Sequence, residues 1–202
     1  SATVSVPPEQ KIQVSAEGNA AAPLESKPGK LPSKIKEKAE KHKKLVDKLL
    51  LASRDKVVEE VSALLGTEVE LSNIINRIVN KESFFLEEIS GKQVSASMDV
   101  VGEATGESYL IVHLRDAIRI GGVLIMLPSQ ELESVVNDEI FGEDTKDAYS
   151  EVANIIAGVY TAIFEEQYSK KIRFIRKDLQ QIVPMKVETE SAEPFPNGDY
   201  YV

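Results

Sequence analysis

The chain has 202 residues, room for one domain with a tail or for two small ones. It has no cysteine and only His42 and His113, which excludes disulfides, thiolate metal sites and a cysteine nucleophile and leaves little for a zinc site or a serine–histidine triad. A net charge of −9 argues against broad nucleic-acid binding, and the longest apolar run, Gly121 to Leu127, is too short to span a bilayer, so a cytoplasmic protein without membrane insertion is expected.

Residues 1–33 hold more than half of the nine prolines and show no apolar period. Such a segment buries too little surface to offset its ordering entropy, and a disordered Pro/Ala-rich tail is expected. Residues 34–66 form a basic helical segment. Ser33 fits a cap, Leu45, Leu49, Ala52, Val57, Val61 and Leu65 recur near the helical spacing, and Gly66 fits the stop. Its lysines read as a solvated face. From 67 to 202 the chain changes character. Thr67 with Glu70 reads as a capping box opening a helix to about Ser90. Gln93–Val101, Ser108–Leu114 and Ala117–Leu127 read as strands, the last two joined at Arg115-Asp116. A short helix from Ser129 to about Ile140 precedes a long one from Asp144 or Thr145 to about Tyr168. Strands are expected at Lys171–Ile175, Met185–Thr189 and Tyr200–Val202, with 176–183 unassigned. The sum is an α/β (α+β) fold, two long helices packed on a mainly antiparallel sheet.

Aligning the two long helices shows an internal similarity, Glu70-Leu-Ser-Asn73-Ile-Ile beside Glu151-Val-Ala-Asn154-Ile-Ile. Read as a duplication, it leaves the second copy short of a C-terminal strand or two, so 67–202 would be C-terminally incomplete. In the second helix, steps of 100° put Asp147, Glu151, Asn154 and Gly158 on one narrow strip. Val152, Ile155, Ile156, Val159 and Ile163 form the stripe that must face the core. A carboxylate and a carboxamide thus stand one turn apart, and Gly158 leaves space beside Asn154. The bland alternatives are a solvated carboxylate and a surface amide. For Glu70 the capping box suffices, and Arg77 stands where Gly158 stands in the second helix.

These residues carry a resemblance. An Asp or Ser, a Glu four residues on and an Asn three beyond resembles the active helix of the CheC/CheX/FliY chemotaxis phosphatases, and Asp147, Glu151 and Asn154 match all three positions. The Gly121-Gly122-Val-Leu-Ile-Met-Leu-Pro128 run is similar to the same family and its flagellar-switch relatives. Pro184 lies farther from Asn154 than the family's usual proline, which touches the loop framing the site. The resemblance covers roughly 67–202. It implies a CheC-like, pseudo-duplicated domain that removes the phosphoryl group from the aspartate of a CheY-type response regulator, with Asn154 orienting water and Glu151 engaging the regulator. Members of the family can carry two sites, and Glu70 and Asn73 are the candidates for a second one beside their capping-box reading. The Mg²⁺ would belong to the partner, so this chain would need no cofactor or metal ligands. The family includes monomers and strand-exchanged dimers, and a homodimer stays open. The rival reading is a non-catalytic domain that binds a response regulator or a motor component; a third makes the helix at 34–65 a docking element.

Overall fold

The computed structural model describes residues 2–5, 33–71 and 75–202, with side chains from Glu40 onward. The chain order is β1 (Ala2–Ser5), α1 (Ser33–Leu65), β2 (Ile78–Asn80), α2 (Lys81–Ser83), a π-helical turn (Phe84–Glu88), β3 (Gln93–Gly102), β4 (Gly106–His113), α3 (Leu114–Leu124), α4 (Ser129–Asn137), α5 (Glu143–Gln167), β5 (Ile172–Ile182), a 3₁₀ turn (Pro184–Lys186) and β6 (Asp199–Tyr201). Six strands form one sheet in the order β2-β6-β1-β4-β3-β5, and every pairing is antiparallel. The fold is mixed α/β, with two long helices, α1 and α5, on an antiparallel sheet.

One face of the sheet carries the main core. Alternation along β3 turns Ala96, Met98 and Val100 toward the helices, where they join Leu110 of β4 and Ile172 and Phe174 of β5. Against them pack Val152, Ala153, Ala157, Ile163 and Phe164 of α5 and Leu49, Val57 and Val61 of α1. Leu49, Ser53, Val57 and Val61 are buried at every fourth position, the spacing that lays one helix face on another. Gly66, at φ +63°, supplies the left-handed residue that ends α1. A second cluster joins Phe84, Phe85, Tyr109, Ile111, Phe195 and Tyr200. Among the described residues no helix is long and apolar enough to cross a membrane.

Four readings of the sequence are corrected. Ala2–Ser5, assigned to the disordered tail, is a strand between β4 and β6; residues 6–32 lie outside the described residues. Of the helix expected from Thr67 to about Ser90, only the far end is helical among the described residues, at Lys81–Ser83 and Phe84–Glu88. The described residues of 67–77 carry no regular element, and the cap lies later, where Asn80 accepts from the Ser83 amide at 2.8 Å. The described residues of the first copy of the internal similarity, 70, 71 and 75, are not helical, unlike those of the second. Ala117–Leu127 is not a strand, because Leu114, Ala117, Ile118, Gly121 and Gly122 are buried at helical spacing as the inner face of α3. Finally, β5 runs unbroken through 176–182, and residues 185–189 form no strand.

Gly121 explains why α3 tolerates a poor helix former. A Cβ there would stand 2.2 Å from the Thr145 carbonyl oxygen, so only glycine lets α3 meet the first turn of α5 this closely. The chain then turns sharply at Met126, whose φ is +58°, and Pro128 precedes α4. This crossing places α5.

Candidate functional site

Helix α5 starts at Glu143, after Gly142 in extended backbone, and Glu143 and Asp144 sit in its first turn, where carboxylates complement the helix dipole. Its buried stripe includes Ala148, Tyr149, Val152, Ala153, Ala157 and Ile163. Asp147, Glu151, Asn154 and Gly158 all lie exposed on the opposite side. The side chains of Asp147 and Glu151 make no hydrogen bond or ion pair with other described residues. A Cβ built on Gly158 would meet nothing within 4 Å, so the glycine is not demanded by the chain's own packing. Beside this strip an open groove of about 750 Å³ runs between Leu124, Ile125 and Leu127 at the end of α3 and Asp144, Asp147 and Glu151 of α5. Met126, between Ile125 and Leu127 in the chain, is 88% exposed.

Asn154 is engaged by a residue that sequence reasoning missed. Arg176 of β5 donates from Nε to Asn154 Oδ1 at 2.6 Å, and from Nη1 to the Lys177 carbonyl at 3.0 Å. The sheet explains the reach. Ile172 and Phe174 face the helices, and alternation puts Arg176 on the same side. Just beyond it β5 bulges. Met98 pairs with Arg176 and Ala96 with Leu179, so Lys177 and Asp178 oppose the single residue Ser97. Ser97 Oγ accepts from the Asp178 amide at 3.1 Å and so holds the bulge. The signal was in the sequence: continuing the Ile172, Phe174 alternation one step names Arg176 as the residue facing α5.

The other candidates fall elsewhere. Glu70 is exposed in a segment without regular structure, and Asn73 lies outside the described residues. Arg77 pairs with Glu88 at 2.5 Å. His113 Nδ1 lies 3.0 Å from Gln93 Nε2, a contact between paired strands. Among the described residues no group of three or more His, Cys, Asp or Glu side chains is placed to hold a metal ion.

No protein-family model matches the sequence, and no curated protein matches it at a significant level. Solved structures do match. Thermotoga maritima FliY superposes with a TM-score of 0.64 at 16% identity, over 79% of this chain and 78% of that one. The FliM middle domain of V. alginolyticus gives 0.52 at 8% identity, over 78% and 90% of the two chains. A chain of the FliG–FliM complex from H. pylori gives 0.50 at 10% identity, over 82% and 91%. The arrangement of α1 and α5 on a six-stranded antiparallel sheet is thus a CheC/FliY-like fold, shared with FliY and the FliM middle domain.

Proposed function

We propose that this chain is a phosphatase that accelerates hydrolysis of the phosphoaspartate of a CheY-type response regulator. The observation that carries the reading is the display of Glu151 and Asn154 one turn apart, both exposed, on a helix anchored by its opposite face, with open space at Gly158. A likeness in fold to FliY and the matched Asp147, Glu151, Asn154 pattern support it.

The chemistry asks little of the chain beyond placement. In acyl-phosphate hydrolysis a water oxygen bonds to phosphorus in line as the bond to the aspartyl oxygen breaks. A carboxylate and inorganic phosphate result, with the water's protons passing to phosphate and solvent. Such a reaction responds to positioning and charge more than to a protein nucleophile. Asn154 would orient the water. Glu151 has no partner among the described residues, so its charge is available to a cation such as the regulator's active-site lysine. Mg²⁺ and the phosphoaspartate would both come with the partner, and the protein would act in the cytoplasm. The test is to mix the protein with phosphorylated regulator and follow phosphate loss. Acceleration that disappears in Asn154→Ala, with the fold retained, is expected; an equally active variant refutes the role.

A second reading has its own observation. The FliM middle domain shares the fold, and one FliM was solved in complex with FliG. On that reading the same surface binds a regulator or a switch component without chemistry. Regulator binding without faster phosphate loss would favour it.

A further inference from the structure

The contact between Arg176 and Asn154 settles which end of the amide is tied down. A guanidinium carries five N–H donors and no acceptor, so the atom facing it must be the Asn154 oxygen and not its nitrogen. At 2.6 Å, with a cationic donor, this belongs to the stronger class of hydrogen bonds. Arg176 is itself held. Its Nη1 bonds the Lys177 carbonyl, its strand position is fixed by pairing with Met98, and the bulge beyond it is closed by Ser97. Asn154 Nδ2 has no partner among the described residues.

We propose that Arg176 is the positioning residue of the α5 site, holding Asn154 in one of its two amide orientations so that Nδ2 is the group a ligand meets. The inference rests on reading α5 as the phosphatase site and deepens it. A surface asparagine on its own samples several rotamers and both flips. Tied to the sheet, it meets the partner already oriented, and it offers an N–H donor to a ligand oxygen. The second lone pair of Oδ1 stays available to a water proton. The arrangement also tethers the site to β5 through its middle, so the helix face and the sheet edge act as one unit.

Two measurements test this. The first does not depend on activity: the Asn154 side-chain NH₂ resonances of the ¹⁵N-labelled protein, assigned by their loss in Asn154→Ala. A distinct pair in the native chain that moves and averages in Arg176→Ala, and is partly restored in Arg176→Lys, supports positioning. Resonances unchanged in Arg176→Ala overturn it. Arg176→Gln, which keeps the length of the side chain, serves if the alanine variant does not fold. The second is kinetic, with phosphorylated regulator as substrate. Arg176→Ala should lower kcat roughly ten- to a hundredfold at unchanged KM. Added to Asn154→Ala it should lower the rate no further, because the group it positions is gone. Full multiplicative losses in the double variant would overturn positioning. A native chain that accelerates nothing would sink the phosphatase reading, while the resonance test would still decide what Arg176 does.

Discussion

Two stretches of this chain spell the same pattern, Glu-x-x-Asn-Ile-Ile, and their described residues differ in structure. At 151–156 it lies inside α5, where Val152 and Ala153 are buried and Glu151 and Asn154 stand outside. At 70–75 the described residues adopt no regular structure; Leu71 is 48% and Ile75 68% exposed. The difference lies in the flanks. Around Asn154, Ala148, Tyr149, Ala157 and Ile163 continue one apolar face for the helix to bury. Around Glu70, Gly66 has just ended α1, the Val69 amide is taken by Ser62 Oγ at 2.9 Å, and β2 begins at Ile78 to pair with β6. The same short pattern is displayed on a helix only where its neighbours supply an apolar face to anchor it.

The strongest way to break this comparison is to treat both stretches alike. If the site is on α5 alone, Asn154→Ala should slow regulator dephosphorylation roughly a hundredfold or to the background rate, whereas Glu70→Ala should change it less than twofold. Comparable losses in both, measured as phosphate release, would restore the first stretch as a second site. A sharper version exchanges the residues beside the amides. Gly158 has open space around it, and Arg77 occupies the corresponding place in the other stretch. Gly158→Arg should therefore block regulator binding, read by fluorescence anisotropy, while the melting temperature stays near that of the native chain. Unaltered binding would mean that the partner does not approach along this strip.

The frame of α5 can be disturbed from outside as well. Because a Cβ on Gly121 would sit 2.2 Å from the backbone oxygen of Thr145, Gly121→Ala must push α3 from α5. A cost of about 1–3 kcal/mol in urea unfolding is expected, typical of overpacking. Gly158→Ala should do the opposite, gaining about 1 kcal/mol from helix propensity alone. If both glycines respond with the same sign, the contrast between a packed and an open helix face is wrong.

What the sequence disclosed follows the same rule. α1 and α5 were legible because their apolar residues repeat over many turns, and β3 because its alternation is long. The run Ala117–Leu127 misled, since two glycines and a string of Val, Leu and Ile look like a buried strand. The helical spacing of Leu114, Ala117, Ile118 and Gly121 becomes decisive only with Thr145 pressed against Gly121. The capping box at Thr67 and Glu70 is sound local chemistry, overridden by the pairing of β2 with β6. The strip of Asp147, Glu151, Asn154 and Gly158 was readable from spacing, as all four are exposed on one side of α5. Arg176 lies one step past the strand expected at 171–175, within reach of the Ile172, Phe174 alternation but outside the assigned element. The doubled residue at Lys177 and Asp178 breaks the alternation that would have carried a strand through it.

The smallest effect concerns the buried side of α5. Tyr149 packs beside Phe141, and its hydroxyl is buried with no hydrogen-bond partner among the described residues. Burial, reinforced by the Asp116 charge, pushes its ionisation well above the ordinary value of 10.0, and burial lifts Tyr160 to about 12. A phenol whose folded pKa is raised favours the fold fully while the pH is below its unfolded value, and that contribution is lost as the pH climbs through and beyond 10. Stability should therefore fall on the alkaline side, above about pH 10. Tyr149→Phe should raise stability by about 1 kcal/mol at neutral pH by removing an unsatisfied hydroxyl, and should flatten the alkaline decline. Urea titrations of both proteins across that range check the two effects together. A phenylalanine variant that is less stable at neutral pH would show that the hydroxyl has a partner in solution, and that this part of α5 is not the dry anchor on which the exposed strip depends.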